Sequence, residues 1–203
     1  MIVFKLCTVD DYIPDYFCDE CGKAEMGRVR GVVFFHKSLK EQLTEQNLTA
    51  ITWWEKQLSA KTIIVIPSVR GTFDGGAPIS VTGFGDQAEK ITGKTFTVVI
   101  NDVNHTQNYK FYEGLENNYF KNYYFGFITE SELRVGTDVI TGFSAVDAVA
   151  EDVTSNVLWV STISWIQEKP HSIVPIYELN DEVRNIFINC IEEVIPSEVT
   201  ENS

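Results

Sequence analysis

The chain has 203 residues, with 16 Lys plus Arg against 29 Asp plus Glu, so 16 − 29 leaves a formal net charge of −13 at pH 7. A surface that grips nucleic acid by displacing counterions needs clustered positive charge, and so does one that docks on anionic lipid; this balance argues against both. Hydrophobic residues are 44% and charged residues 22%, the proportions of a folded chain, and the apolar runs fall far short of the roughly 20 residues that cross a bilayer. Residues 1–15 carry Asp10, Asp11 and Asp15 and show no basic-then-apolar leader. The expectation is an acidic, soluble protein made inside a cell. It has one β-rich domain over 1–196 and a frayed polar tail over 197–203.

In chain order, 2–7 reads as an opening strand, followed by a loop through Pro14 and an Asp/Cys-rich stretch at 15–22. Over 28–36, Val29, Gly31, Val33 and Phe35 fall on one side and Val32 and Phe34 on the other, which predicts a strand. A helix over 49–58 rests on Ile51, Trp54 and Leu58. The β-branched run 62–66 is a strand that stops at Pro67. Residues 68–85, with Asp74-Gly75-Gly76 and Gly83-Phe84-Gly85, read as a turn-rich loop because glycine tolerates positive φ. The period of two returns over 94–103, where Phe96, Val98 and Ile100 alternate with Thr95, Thr97 and Val99. A helix over 106–120 carries Phe111, Tyr112, Leu115 and Tyr119 on a stripe broken by Gly114, and a strand over 122–129 follows with Tyr123, Phe125 and Phe127 on one face.

Residues 136–155, rich in Asp, Ala and Thr, form a second irregular segment in this reading. Over 156–167, Val157, Trp159, Ile163 and Trp165 oppose Leu158, Val160 and Ile166, so the strand is apolar on both faces and should be central or interfacial. The last helix starts at Asn180 as N-cap. Asp181 and Glu182 suit its positive end, Val183, Ile186, Phe187, Cys190, Ile191 and Val194 line one face, and Pro196 stops it. Strands outnumber helices and the two do not alternate. The fold class is therefore mainly β, a sandwich or barrel with two or three α-helices including the C-terminal amphipathic one.

Candidate chemistry is sparse. Cys18-Asp19-Glu20-Cys21 has the spacing of half a zinc knuckle or of a redox pair, and Cys7 would be a third ligand. A second knuckle is missing, and Cys190 already has a place on an apolar helix face, so structural thiols without metal are the simpler reading. His36, His105 and His171 lie far apart and none pairs with a second ligand at helical spacing. Ser161 and Ser164 lack a nucleophile elbow, 71–76 lacks the Gly-Lys-Ser/Thr that completes a phosphate loop, and Gly83-Phe84-Gly85 with Asp86 reads as a turn. Two segments concentrate aromatics: Trp53 and Trp54, then Tyr109, Phe111, Tyr112, Tyr119, Phe120, Tyr123, Tyr124, Phe125 and Phe127. These fill a core, or present a surface to a partner subunit, or form a sugar platform. No cofactor is expected.

The Cys18–Cys21 stretch leading into Gly27-Arg28-Val29-Arg30-Gly31-Val32-Val33-Phe34 resembles an opening found in virion proteins of tailed phages that infect Bacteroidetes-type bacteria. Val69-Arg70-Gly71-Thr72-Phe73-Asp74-Gly75-Gly76, then Gly83-Phe84-Gly85-Asp86, the stretch from Gly93 to Asp102 and the strand around Trp159 and Trp165 continue it over 18–166. In this the chain is similar to tail-tube, collar-ring and other small structural proteins of crAss-like and related phages. The resemblance implies a non-enzymatic subunit that forms a ring of its own copies around the DNA exit channel. Portal and other tail or collar proteins would be its neighbours in a virion assembled in the bacterial cytoplasm. It brings no catalytic residue, no specific nucleic-acid binding and no membrane contact. The alternatives are a capsid-decorating protein, or a ligand- or metal-binding module using the aromatic surface or Cys7, Cys18 and Cys21.

Overall fold

A computed structural model describes residues 27–81, 90–102, 105–148, 158–168 and 174–188. Its elements are β1 (Gly31–His36), α1 (Glu45–Leu48), α2 (Ile51–Ser59), β2 (Ile63–Ile66), β3 (Arg70–Val81), β4 (Lys90–Asp102), α3 (His105–Glu116), β5 (Tyr123–Ile128), β6 (Glu132–Ala148), β7 (Leu158–Glu168), β8 (Ile176–Glu178) and α4 (Asp181–Ile188), with 3-10 turns at Lys37–Gln42 and Tyr119–Asn122. The class is mainly β, as expected. Helices exceed the expected two or three among the described residues, because the four-residue α1 precedes α2 and the two 3-10 turns are too short to show a helical period.

The strands run antiparallel in the order β2-β1-β5-β6-β7-β4-β3, and β8 pairs with β6 off this path. β6 belongs to two neighbourhoods. Its first part pairs with β5 (Leu133 opposite Ile128, Val135 opposite Gly126) and with β8, while its second part pairs with β7 from Ile140 opposite Trp165 onward. A register shift between Ile140 and Gly142 marks the passage, and such bulges bend a strand. A second connection joins the far ends of the path: Val29 and Gly71 exchange two backbone hydrogen bonds of 3.2 Å, tying the lead-in of β1 to β3. Gly71 is required there, since a Cβ at that position would stand 2.5 Å from the Val99 carbonyl oxygen.

Two apolar clusters follow from the alternation in β1 and β5. Val32, Phe34, Phe125 and Phe127 point inward, to Phe96, Val98 and Ile100 of β4 and Ile163 and Trp165 of β7. Phe125 lies 5.6 Å from Trp165, and Phe73 of β3 lies 4.7 Å from Phe127, ring centre to ring centre. The opposite residues Val33, Phe35, Tyr124 and Ile128 meet Trp54 of α2 and Val183, Ile186 and Phe187 of α4. β1 and β5 are thus covered on both faces, which explains their unbroken apolar runs. Each such large side chain contributes about 1.5–3 kcal/mol by burial.

Two expectations are corrected. Residues 70–81 are strand rather than loop: β3 is the last strand of the path, where Pro78 and the irregularity at Gly75-Gly76 are tolerated, and Gly76 has φ +105°. Residues 136–148 are also strand, in β6; their alternation is broken by the shift at 140–142. β7 is central as expected, hydrogen-bonded on both edges; among the described residues Ile166 on its second face is exposed and Val160 half-buried. The expected strand at 2–7, the turn at 83–85, residues 149–155, the last helix beyond Ile188 and the tail 197–203 lie outside the described residues.

Candidate functional site

Most of the chemistry-bearing residues singled out in the sequence come to ordinary structural positions or lie outside the described part. Cys7, Cys18, Cys21, Cys190 and His171 are in the latter group, as is the side chain of His105, which opens α3. His36 caps the turn after β1, its Nδ1 accepting from the Ser38 backbone N–H, and its ring meets Tyr123 edge-on. Ser161 is fully buried with its Oγ unpartnered among the described residues, and Ser164 donates to the Gly142 carbonyl. No group of three His, Cys, Asp or Glu able to hold a metal occurs among the described residues.

The aromatics divide by burial. Trp54, Tyr112, Phe125 and Phe127 are core, while Tyr109 and Tyr119 are exposed. Three buried contacts fix polar atoms among them: Trp54 Nε1 donates to the Leu48 carbonyl (2.9 Å), Trp165 Nε1 to Gln167 Oε1 (2.9 Å) and Tyr112 Oη to Asp102 Oδ2 (2.6 Å). Burial, then the Asp102 carboxylate beside it, pushes the Tyr112 phenol far above its ordinary value.

Two surfaces remain that this packing does not use. The first is the outer face of β3, β4, β7 and β6. Side chains of β4 and β7 with even and odd neighbours alternate, so Phe96, Val98, Ile100, Ile163 and Trp165 go to the core and their neighbours face outward. Rows run straight across the strands: Thr72–Val99–Thr162–Ser144, and Arg70–Asn101–Val160–Val146 beside it. On the two central strands the outward residues between Thr95 and Asn101 are Thr95, Thr97, Val99 and Asn101, and between Val160 and Ile166 they are Val160, Thr162, Ser164 and Ile166. None of these eight carries a charge; Glu168, at the end of β7, is the next residue on that face. α2 and α4 pack on β1 and β2, and α3 reaches β6 through Tyr112 and Phe143 on the inner side, so no described helix covers this face.

The second surface surrounds the Val29–Gly71 tie. A cleft of about 340 Å³ is lined by Arg28, Thr72, Phe73, Phe127, Thr129 and Arg134. A smaller one of about 130 Å³ shares Arg28 and adds Arg30, Ser68, Arg70 and Ile188. Every arginine of the sequence except Arg184 therefore meets at one place. Arg30 is paired with Glu130, and Arg134 with Glu132 at 2.9 Å. Arg28 and Arg70 are exposed, with no carboxylate within 4 Å among the described residues.

Sequence reasoning named neither surface. The alternation over 94–103 was a usable signal for the first, since it set threonines against the core residues. For the second, the i, i+2 spacing of Arg28 and Arg30 puts both on one strand face, but Arg70 and Arg134 join them only through strand pairing. Comparison of the chain with protein-family models, with curated proteins and with solved structures gave no match.

Proposed function

We propose that this chain is a non-enzymatic structural subunit that assembles with its own copies into a ring of a phage tail or collar, around the DNA exit channel, beside portal and other tail or collar proteins. The observation that carries this reading is the uncharged outer face of β4 and β7. A sheet face left in water is normally sprinkled with Lys and Glu, whereas depletion of charge marks the centre of an interface. In a chain with 22% charged residues, the eight outward positions of Thr95–Asn101 and Val160–Ile166 on two adjacent strands hold none, and Glu168 lies beyond them at the strand end. Val146 and Ile166 extend that face with exposed apolar side chains. The likeness of 18–166 to ring and tube proteins supports the same reading.

The test is mass in solution. Light scattering behind a sizing column, over a range of protein concentrations, should give a particle of many subunits. A Thr97→Lys/Thr162→Lys chain should remain folded by circular dichroism and lose that particle, because two ammonium groups would be buried in the contact, the one at 162 between the uncharged Val99 and Ser144. A wild-type chain that stays monomeric at every concentration refutes the reading.

A further inference from the structure

An uncharged face provides contact area but no direction: a patch that packs on its own copy makes a two-fold dimer, and a ring needs two different surfaces that meet head to tail. The charges on the helical side provide such a pair. Ile188, the last described residue of α4, lines the smaller arginine cleft, and Ser68 binds this end of the described helix through its N–H to the Phe187 carbonyl (3.0 Å) and its Oγ to the Ile188 carbonyl (2.5 Å). Arg28, Arg30 and Arg70 stand around this end. At the other end, about 12 Å away for eight residues at 1.5 Å each, lie Glu178, Asp181 and Glu182, all exposed. Glu45 of α1 is beside them, close enough to Tyr177 to raise its phenol together with burial, and Asn180 Nδ2 binds the Thr49 carbonyl just after α1. Asp181 is partly neutralised by Arg184 at 2.8 Å; Glu45, Glu178 and Glu182 have no cationic partner among the described residues.

We infer that the arginine island around Arg28 and Arg70 is a docking site for a second copy of this chain, which presents the acidic end of its α4, with Glu45, Glu178 and Glu182. The inference rests on the ring reading above and adds its polarity. Copies of a −13 chain repel one another, so a contact needs a place where opposite charges meet. Arginine suits it, since its planar fork takes a carboxylate bidentately. Two of the four arginines already have glutamates, and the two that do not are the exposed ones. Each copy has both ends, so every copy can give and receive, which is the head-to-tail contact that a ring requires.

The test is a charge swap read by light scattering and native mass spectrometry. The Arg28→Glu/Arg70→Glu chain sets acid against acid at every contact, and the Glu178→Lys/Glu182→Lys chain sets base against base. Each alone should need about tenfold more protein to assemble, and the wild-type particle should weaken with salt. An equimolar mixture should restore assembly, with the two chains alternating, because every contact is again complementary. Arg28→Gln/Arg70→Gln, with a smaller loss, serves if the Glu variant does not fold. If either swapped chain assembles like wild type, or both stay folded and unassembled when mixed, the polarity is wrong and the ring reading stands. A variant that melts earlier but assembles normally would assign the arginines to the chain's own residues and overturn the inference. A wild-type monomer would remove both.

Discussion

Trp165→Phe probes the inner core at a buried indole donor. Trp165 is fully buried, stacked at 5.6 Å on Phe96, and Gly136 lies so close that a Cβ there would be 2.8 Å from Nε1. The phenyl ring fills less of this site, leaving a void on the order of 40 Å³, or about 1 kcal/mol at roughly 24 cal/mol per Å³. Gln167, itself 0% exposed, loses the donor to its Oε1, at about 1–3 kcal/mol. The expected loss is therefore about 2–4 kcal/mol, a fall of roughly 5–15 °C in Tm for a chain of this size. Calorimetry at one fixed protein concentration reads it, because association would shift Tm by mass action. Gln167→Leu isolates the polar part: in the double variant both partners are gone, so the combined cost should fall short of the sum by about 0.5–3 kcal/mol. A Trp165→Phe loss under about 1 kcal/mol, or strict additivity of the pair, would show that the buried hydrogen bond contributes nothing.

Asn180→Ala should cost about 1–2 kcal/mol in denaturant titration, since Asn180 Oδ1 accepts from the Val183 N–H at 2.9 Å and its Nδ2 also anchors α4 to Thr49; a neutral outcome would remove the cap from the account. Tyr112→Phe should cost about 1–3 kcal/mol at neutral pH by taking a donor from the buried Asp102 carboxylate. The Tyr112 phenol lies above its ordinary 10 in the folded state, so the stability linked to it is complete below pH 10 and is lost as pH rises beyond. Melting temperature against pH should thus fall less steeply above pH 10 in Tyr112→Phe than in wild type, and parallel curves would contradict the assignment.

β1, β2, β4, β5 and β7 were legible as strands, and α2, α3 and the start of the last helix as helices, because their apolar side chains recur at the period of the element that buries them; the helix expected over 106–120 stops at Glu116. The acidic balance and the mainly-β class are likewise properties of composition and pattern alone. β3 and the second part of β6 were not legible, and the reason is local. Gly71, Gly76 and Pro78 look like turn residues, yet each suits a strand at the end of the path: one for close backbone approach, one for positive φ in a bulge, one for a missing donor. Gly136 and Gly142 sit in β6 where Trp165 Nε1 and Ser164 Oγ leave no room for a Cβ, at 2.8 and 2.5 Å. Glycine there records a neighbour from β7, and nothing within β6 identifies that neighbour. The candidate surfaces have the same origin. Threonines on β4 and β7 become one uncharged face, and Arg28, Arg30, Arg70 and Arg134 one island, only when antiparallel pairing fixes which residues stand opposite one another. Period and composition are local and survive in the sequence, whereas register and strand order depend on pairings as distant in the chain as Gly31 with Ile128 and exist only in the folded chain.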